Sequence, residues 1–218
     1  MEPKISVIIP NYNNGDLLER ALDSVPLAKN IQVIILDDGS TDKSWHLITK
    51  WYNRHYKEIN KSSVIHRWVN NKGVASAMNL GFELAKGEYI VSLSSDDYYV
   101  SGFEPFMPYL DGKNDLVYFN LEVNDGSVWH VDDKSKLEFV GAVKFIRREF
   151  LGDTRVPDLK YKEDKPFSGL LYAKKPKEAF TGIVLKHYNF PHEGSLSWQA
   201  VQDYENDRAK WAKNSGQE

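Results

Sequence analysis

The stretch Gly87-Glu88-Tyr89-Ile90-Val91-Ser92-Leu93-Ser94-Ser95-Asp96-Asp97 constrains this chain more than any other. Its centre is a short apolar run with β-branched residues, which reads as a buried strand. The run stops at two adjacent carboxylates. Neighbouring like charges repel, and burying them unpaired is costly. Two placements tolerate such a pair. One is a solvated turn, where water screens both charges. The other is the end of a central strand, with a cation between the carboxylates and a ligand.

The chain before this stretch alternates. Ile5-Ser6-Val7-Ile8-Ile9 reads as a strand ending at Pro10, and Asn11-Tyr12-Asn13-Asn14-Gly15 as a loop. Leu17, Leu18, Ala21, Leu22 and Val25 recur at helical spacing until Pro26. Ile31 to Leu36 is nearly all apolar, as a strand buried on both faces should be. It ends at Asp37-Asp38-Gly39-Ser40-Thr41-Asp42. The next helix is expected to place Trp45, Ile48, Trp51 or Tyr52, His55 and Ile59 on one stripe. Ser63 to Val69 is a third strand, and Asn70-Asn71-Lys72-Gly73 a turn. A helix carrying Val74, Met78, Gly81 or Phe82, and Ala85 stops at Gly87. This β-α-β-α-β-α-β order predicts an α/β fold, a mostly parallel sheet with helices on both faces. Ligands of such sheets bind outside the carboxyl ends of the strands. Asn11, Asp37, Asp38, Asp96 and Asp97 all stand at such ends, so one rim is expected to gather them.

The second half alternates less cleanly. A short helix is expected over Phe103 to Leu110, and a hairpin over Asp115 to Val123 and Ser127 to Val131 around Asn124-Asp125-Gly126. Helices are expected over Ala142 to Leu151 and Asp164 to Ala173, the latter with Pro166 in its first turn. Thr181 to Tyr188 reads as a strand. An amphipathic tail from Ser197 is expected to end disordered after Lys213. The 218 residues fit one domain, 1–218, with a ligand-binding half over 1–100 and a second half over 101–218. A net charge of −3 argues against a nucleic-acid binder, and the absence of cysteine removes thiol nucleophiles and cysteine metal sites. No segment reaches the roughly 18 apolar residues of a membrane span, so a soluble cytoplasmic protein is expected.

Several motifs now line up. Val7-Ile8-Ile9-Pro10-Asn11-Tyr12-Asn13, Asp37-Asp38-Gly39-Ser40-Thr41-Asp42, Asn71-Lys72-Gly73 with Ala77 and Asn79-Leu80-Gly81, and Ala85-Lys86-Gly87-Glu88-Tyr89-Ile90 with Asp96-Asp97 together resemble glycosyltransferase family 2. A fainter likeness continues through Lys162-Glu163-Asp164 and His192-Glu193-Gly194-Ser195-Leu196-Ser197. The resemblance implies a GT-A, Rossmann-like fold with a smaller C-terminal acceptor-side part. It also implies a nucleotide-diphosphate sugar donor, a divalent metal and inversion at the anomeric carbon.

On that resemblance, Asp97 contacts the metal and Asp96 the ribose or metal. Oxygen ligands suit Mn²⁺ or Mg²⁺. Ser94 stands where the family often has a further Asp. Asp38 would accept the N3–H of uracil, with Pro10, Asn11 and Tyr12 closing the base pocket, so a UDP-sugar is the expected donor. Asp37, Asp38 and Asp42 can alternatively be turn and cap residues, a reading that fits Asp42 best, and Tyr12 can equally be a rim residue packing on the sheet. Lys72 either pairs with a phosphate or is an ordinary solvated lysine. Asn79 reads as a tie between its helix and the loop before it.

Asp164 is the candidate general base, taking a proton from an acceptor hydroxyl; an N-cap role is the alternative. His192 either binds metal or diphosphate, or is structural. Lys174, Lys175 and Lys177 form a basic cluster, either a solvated face or a lean on an anionic membrane carrying a lipid-linked acceptor. The expected function is transfer of a sugar to a glycan hydroxyl in bacterial surface polysaccharide synthesis, at the inner face of the cytoplasmic membrane. The alternative is a non-catalytic sugar-nucleotide or glycan-binding module of the same fold. A nucleotidyltransferase is disfavoured, because Asn-Tyr-Asn-Asn-Gly replaces the Gly-rich loop with Arg and Lys that such enzymes carry after strand one.

Overall fold

The computed structural model describes residues 2–59, 63–131, 143–159, 163–190, 192, 193, 195, 198, 199 and 202. Strand β1 (Ile5–Asn11) is the spine. It pairs in parallel with β2 (Ile31–Asp37) from Ile5↔Ile31 to Asn11↔Asp37, and with β4 (Tyr89–Ser92) from Ile5↔Tyr89 to Ile8↔Ser92. Strand β3 (Ser63–Trp68) lies outside β2, also parallel. The crossovers are α1 (Gly15–Asp23), α2 (Ser44–Arg54) with the short α3 (Tyr56–Ile59), and α4 (Val74–Leu84). The chain winds outward through β3 and then returns past β1 to β4. The switch in direction therefore falls between β1 and β4, where an open α/β sheet forms a ligand crevice.

Beyond β4 the second half extends the same sheet. The remaining strands are β5 (Tyr98–Tyr99), β6 (Leu116–Val123), β7 (Val128–Trp129), β8 (Lys144–Arg147) and β9 (Glu178–Tyr188). The order is β3-β2-β1-β4-β8-β6-β9-β5, with β7 paired to β6. β8 is antiparallel to β4 and β6, whereas β9 runs parallel to β6. The expected hairpin is present, with Gly126 at φ +80° accepting the turn. Further helices among the described residues are α5 (Arg148–Leu151) and α6 (Asp164–Ala173).

The core explains why these elements form. β1 and β2 bury nearly every side chain, as their apolar composition requires. Two buried polar residues fix how α4 feeds β4. Gln32 accepts from the Ser6 hydroxyl at 2.6 Å and from the Lys86 amide at 2.8 Å, and its amide donates to the Leu84 carbonyl at 3.1 Å. The Gly87 amide donates to Ser6 Oγ at 2.8 Å. Phe103, Phe106, Phe119 and Phe145 fill the second half with edge-on and tilted ring contacts.

Three expectations change. The helix over Ala142 to Leu151 is instead strand β8 followed by the single turn of α5. Pairing with β4 and β6 satisfies the backbone of Lys144–Arg147 on both edges, and that outweighs an apolar spacing compatible with either structure. The short helix at Phe103 to Leu110 is a 3₁₀ turn over Glu104–Phe106. In α2 the buried face is Leu47, Ile48 and Trp51, and Trp45 lies outside it, tilted against the His66 ring at 5.1 Å. The expected tail, from Ser197 through its disordered end after Lys213, lies almost wholly outside the described residues.

Candidate active site

The loops after β1, β2 and β4 are laced together. Asn11 is buried; its amide donates to Ser40 Oγ at 3.2 Å and its carbonyl accepts the Asp38 amide at 2.8 Å. Asn13, at φ +49°, accepts the Thr41 amide at 2.7 Å. Asn14 donates to Ser95 Oγ at 3.1 Å, which joins the first loop to the carboxylate turn. Asp42 accepts the amides of Gly15 at 2.8 Å and Ser44 at 2.9 Å, so it starts α1 and α2 as a turn-and-cap residue should. Asp37 is fully buried; one oxygen accepts the Ser40 amide at 2.9 Å and the other has no hydrogen-bond partner. Tyr12 stands at the mouth with 53% of its surface exposed, leaving its ring open to a planar ligand.

Asp38 is buried, and both of its oxygens are already in use. Oδ1 accepts the Lys72 amide at 2.9 Å and Oδ2 the Gly73 amide at 2.8 Å. It clamps the loop that opens α4. A carboxylate oxygen has a second lone pair, so each can still accept another donor. The Lys72 side chain is exposed. Asn79 ties α4 to a second-half segment and not to the loop before it, donating to the Val156 carbonyl at 2.9 Å and accepting its amide at 2.8 Å.

At the carboxylate turn the two aspartates differ. Asp97 is 1% exposed and ion-paired with the equally buried Lys186 of β9 at 3.0 Å. Its other oxygen accepts the Asn189 amide at 3.0 Å. Asp96 is partly exposed and faces the rim. Burial first, and then the charge of Asp97, push its carboxyl up to about 6, while Lys186 and His192 pull the other way. His192 is thus electrostatically coupled to Asp96, and its Nδ1 is buried without a hydrogen-bond partner. Arg20 braces the turn, donating to the Asp96 carbonyl at 3.0 Å and lying 4.4 Å over the Tyr98 ring. Among the described residues no group of three or more His, Cys, Asp or Glu is arranged to hold a metal by itself. The donor set still suits a hard cation shared with a diphosphate, which takes one or two protein carboxylates and fills its shell with phosphate oxygens and water.

Beside this turn, at the β1–β4 switch, a cavity of about 100 Å³ is lined by Pro10, Ser94, Lys144, Glu163 and Asp164, among others. Asp164 is the first residue of α6, one past the cap position, which Glu163 occupies without a side-chain capping bond among the described residues. Burial and the neighbouring Asp164 charge raise the Glu163 carboxyl above its usual range. Lys144 is buried, donates to Ser168 Oγ at 3.0 Å, and is pushed down to about 8 by burial, opposed by Asp164 and Glu178. Lys174 donates to the carbonyls of Phe150 at 2.8 Å and Leu151 at 2.9 Å, so this member of the basic cluster holds α5.

Sequence reading did not single out Lys186, Lys144 or Arg20. The first carries a visible signal, a lysine after the apolar run Ile183-Val184-Leu185. The second was hidden by the helix assigned over it.

This architecture, a nucleotide-type β-α-β half extended by a mixed sheet, is that of the GT-A fold. A family model described as glycosyl transferase family 2 matches residues 6–164, and the chain belongs to that family. The glucosyltransferase WfaP of Escherichia coli, which acts on α-D-GlcNAc-diphosphoundecaprenol with UDP-Glc, is 41% identical over 101 residues, 44% of this chain and 37% of WfaP. Residues 1–349 of S. aureus TarS in complex with UDP-GlcNAc superpose with a TM-score of 0.72 at 21% identity, covering 89% of this chain and 60% of that one. A mannosyltransferase of Pyrobaculum calidifontis in complex with GDP-Man and Mn²⁺ gives a TM-score of 0.70 at 19% identity, covering 91% and 60%. The chain spans less than half the length of the curated relatives it matches.

Proposed function

We propose that the chain transfers a sugar from a nucleoside diphosphate, a UDP-sugar, to a hydroxyl of a growing or lipid-linked glycan, with inversion. The observation that carries this reading is that the loops bearing Asn11, Asp38 and Asp96 are tied together, by the Asp38 amide on the Asn11 carbonyl and by Asn14 on Ser95, beside the cavity that Asp164 lines. The base stacks on Tyr12, within a pocket closed by Pro10 and Asn11. The remaining lone pairs of Asp38 accept the N3–H of uracil. Lys72 reaches the phosphates from the clamped loop. Asp96, with Asp97 and His192 beside it, holds Mn²⁺ or Mg²⁺. Such a cation supplies positive charge to the departing diphosphate.

Asp164 then takes the acceptor proton as the acceptor oxygen bonds to the anomeric carbon. The bond from that carbon to the phosphate oxygen breaks, and its electron pair leaves with the diphosphate. That Asp164 shares one cavity with Ser94 and Pro10 supports this, because inversion requires the acceptor to attack the anomeric carbon from the face opposite the departing diphosphate. The uncharged Ser94 leaves the direct carboxylate contacts to Asp96 and Asp97.

Calorimetric titration with UDP, with and without Mn²⁺, tests the donor site. Binding that tightens with the metal is expected, and no binding under either condition overturns the reading. A UDP-sugar transfer assay on Asp164→Asn tests catalysis. Retained UDP binding with transfer reduced about 10²–10⁴-fold is expected for a general base. Parental turnover would remove Asp164 from that role.

A further inference from the structure

The ion pair beneath the donor site adds a coupling that the reading above does not contain, though it rests on that reading. Asp97 and Lys186 are each 1% exposed and lie 3.0 Å apart, one on the carboxylate turn and the other on β9. Asp97 Oδ2 has this ion pair but no hydrogen bond of good geometry, whereas Oδ1 is fixed by the Asn189 amide. A carboxylate this deeply buried is costly unless its charge is compensated, and here the ammonium is what faces Oδ2. A buried ammonium requires an anion for the same reason.

We propose that Lys186 links metal binding to donor binding by exchange. Its ammonium and the divalent cation compete for Asp97. When the cation takes that carboxylate, the ammonium turns to the diphosphate, the nearest added anion. Each ligand thereby relieves the charge that the other leaves unpaired. The metal alone strands an ammonium, and the diphosphate alone must draw Lys186 from Asp97. Together they repair both defects, so the two bind with mutual enhancement. Thermodynamic linkage makes that enhancement the same factor in either direction. Lys186 acts on the metal through Asp97 and is in that respect a positioning residue. Its place on β9 carries the second half of the chain into the donor site. Lys186 also lies 5.9 Å from the centre of the Tyr188 ring, a second soft anchor for its charge along the same strand.

The test is calorimetry of Mn²⁺ alone, UDP alone and each in the presence of the other, on the parent chain, Lys186→Met and Asp97→Asn. In the parent, mutual enhancement of roughly 5–150-fold is expected, the usual range of coupling between two ligands. In Lys186→Met, Asp97 is released: Mn²⁺ alone binds at least about tenfold tighter, UDP alone binds more weakly, and the enhancement falls about tenfold or more. In Asp97→Asn, Lys186 is released: UDP without metal binds tighter than in the parent, and Mn²⁺ no longer improves it. A merely structural pair would weaken every one of these affinities in both variants, and that result overturns the exchange. Parental affinities and parental enhancement in Lys186→Met overturn it equally. Should Lys186→Met fail to fold, the rise or absence of a rise in metal-free UDP affinity in Asp97→Asn decides the matter. If the parent binds no UDP with or without Mn²⁺, the donor-site reading itself fails; if the parent binds normally and the variants show no exchange, only this inference fails.

Discussion

The Asp38 clamp yields a prediction in which a nearly isosteric change is far from neutral. Its two oxygens accept the amides of Lys72 and Gly73 at 2.9 and 2.8 Å, and the residue is 3% exposed. A hydrogen bond to a charged group contributes about 1.5–3 kcal/mol, and a buried donor left unpaired costs about 1–3 kcal/mol. Asp38→Ala removes both acceptors, so a loss of about 3–5 kcal/mol is expected. Asp38→Asn is nearly the same size and is ordinarily the gentler change. Here it keeps one acceptor and turns an NH₂ group toward a backbone N–H, so two donors face each other. About 2–3 kcal/mol is therefore expected to go, a large share of a typical stability of about 5–15 kcal/mol. Urea denaturation reads this as a lower midpoint at an unchanged slope. Hydrogen exchange should speed up at the Lys72 and Gly73 amides. If Asp38→Asn stays within about 0.5 kcal/mol of the parent, the clamp is not a stabilising element. If it keeps parental stability yet loses UDP, Asp38 serves the ligand alone.

Two glycines should respond in opposite directions. A Cβ on Gly87 would stand 2.4 Å from the Ser6 amide nitrogen and 2.6 Å from the Ile5 carbonyl carbon, both backbone atoms, so Gly87→Ala is expected to cost more than about 2 kcal/mol in urea denaturation. Gly169 lies inside α6 with no heavy atom within 4 Å of its would-be Cβ, and Gly169→Ala should stabilise by about 0.4–1 kcal/mol. Lys144 gives a pH signature. Burial lowers its folded-state value to about 8, below the value of about 10.4 in the unfolded chain, so between those limits the unfolded chain binds more protons and stability rises with pH. Measured against Lys144→Met, the parent should gain about 3 kcal/mol at most between pH 8 and 10.5, and a flat difference would refute the buried charge. Asn79→Ala removes both bonds to Val156 and should cost about 1–3 kcal/mol, read by thermal unfolding.

The first half was legible because its information is local. Apolar runs such as Ile31 to Leu36 can only be buried strands, and a parallel sheet puts their carboxyl ends on one rim. Asn11, Asp38 and Asp96 therefore meet whatever lies elsewhere in the chain. The second half was less legible because its pairings are remote. Val143, Phe145 and Ile146 are spaced equally well for a helix or a strand, and only β4 and β6, formed far upstream, choose the strand. The charges follow the same rule. Each candidate carboxylate pair, Asp96–Asp97 and Glu163–Asp164, has a buried lysine beside it, Lys186 from β9 and Lys144 from β8. A lysine in a strand reads alike in sequence whether its head reaches water or is sealed inside. What separates the two is the partner, and each partner here comes from another element. Two acidic pairs stand out in the sequence, but the buried lysines beside them appear only once the strands are paired. The second half thus reaches into the first half's rim: through β9 it supplies the positive charge that pairs the buried Asp97, and through β8 it sets Lys144 beside the half-buried Asp164.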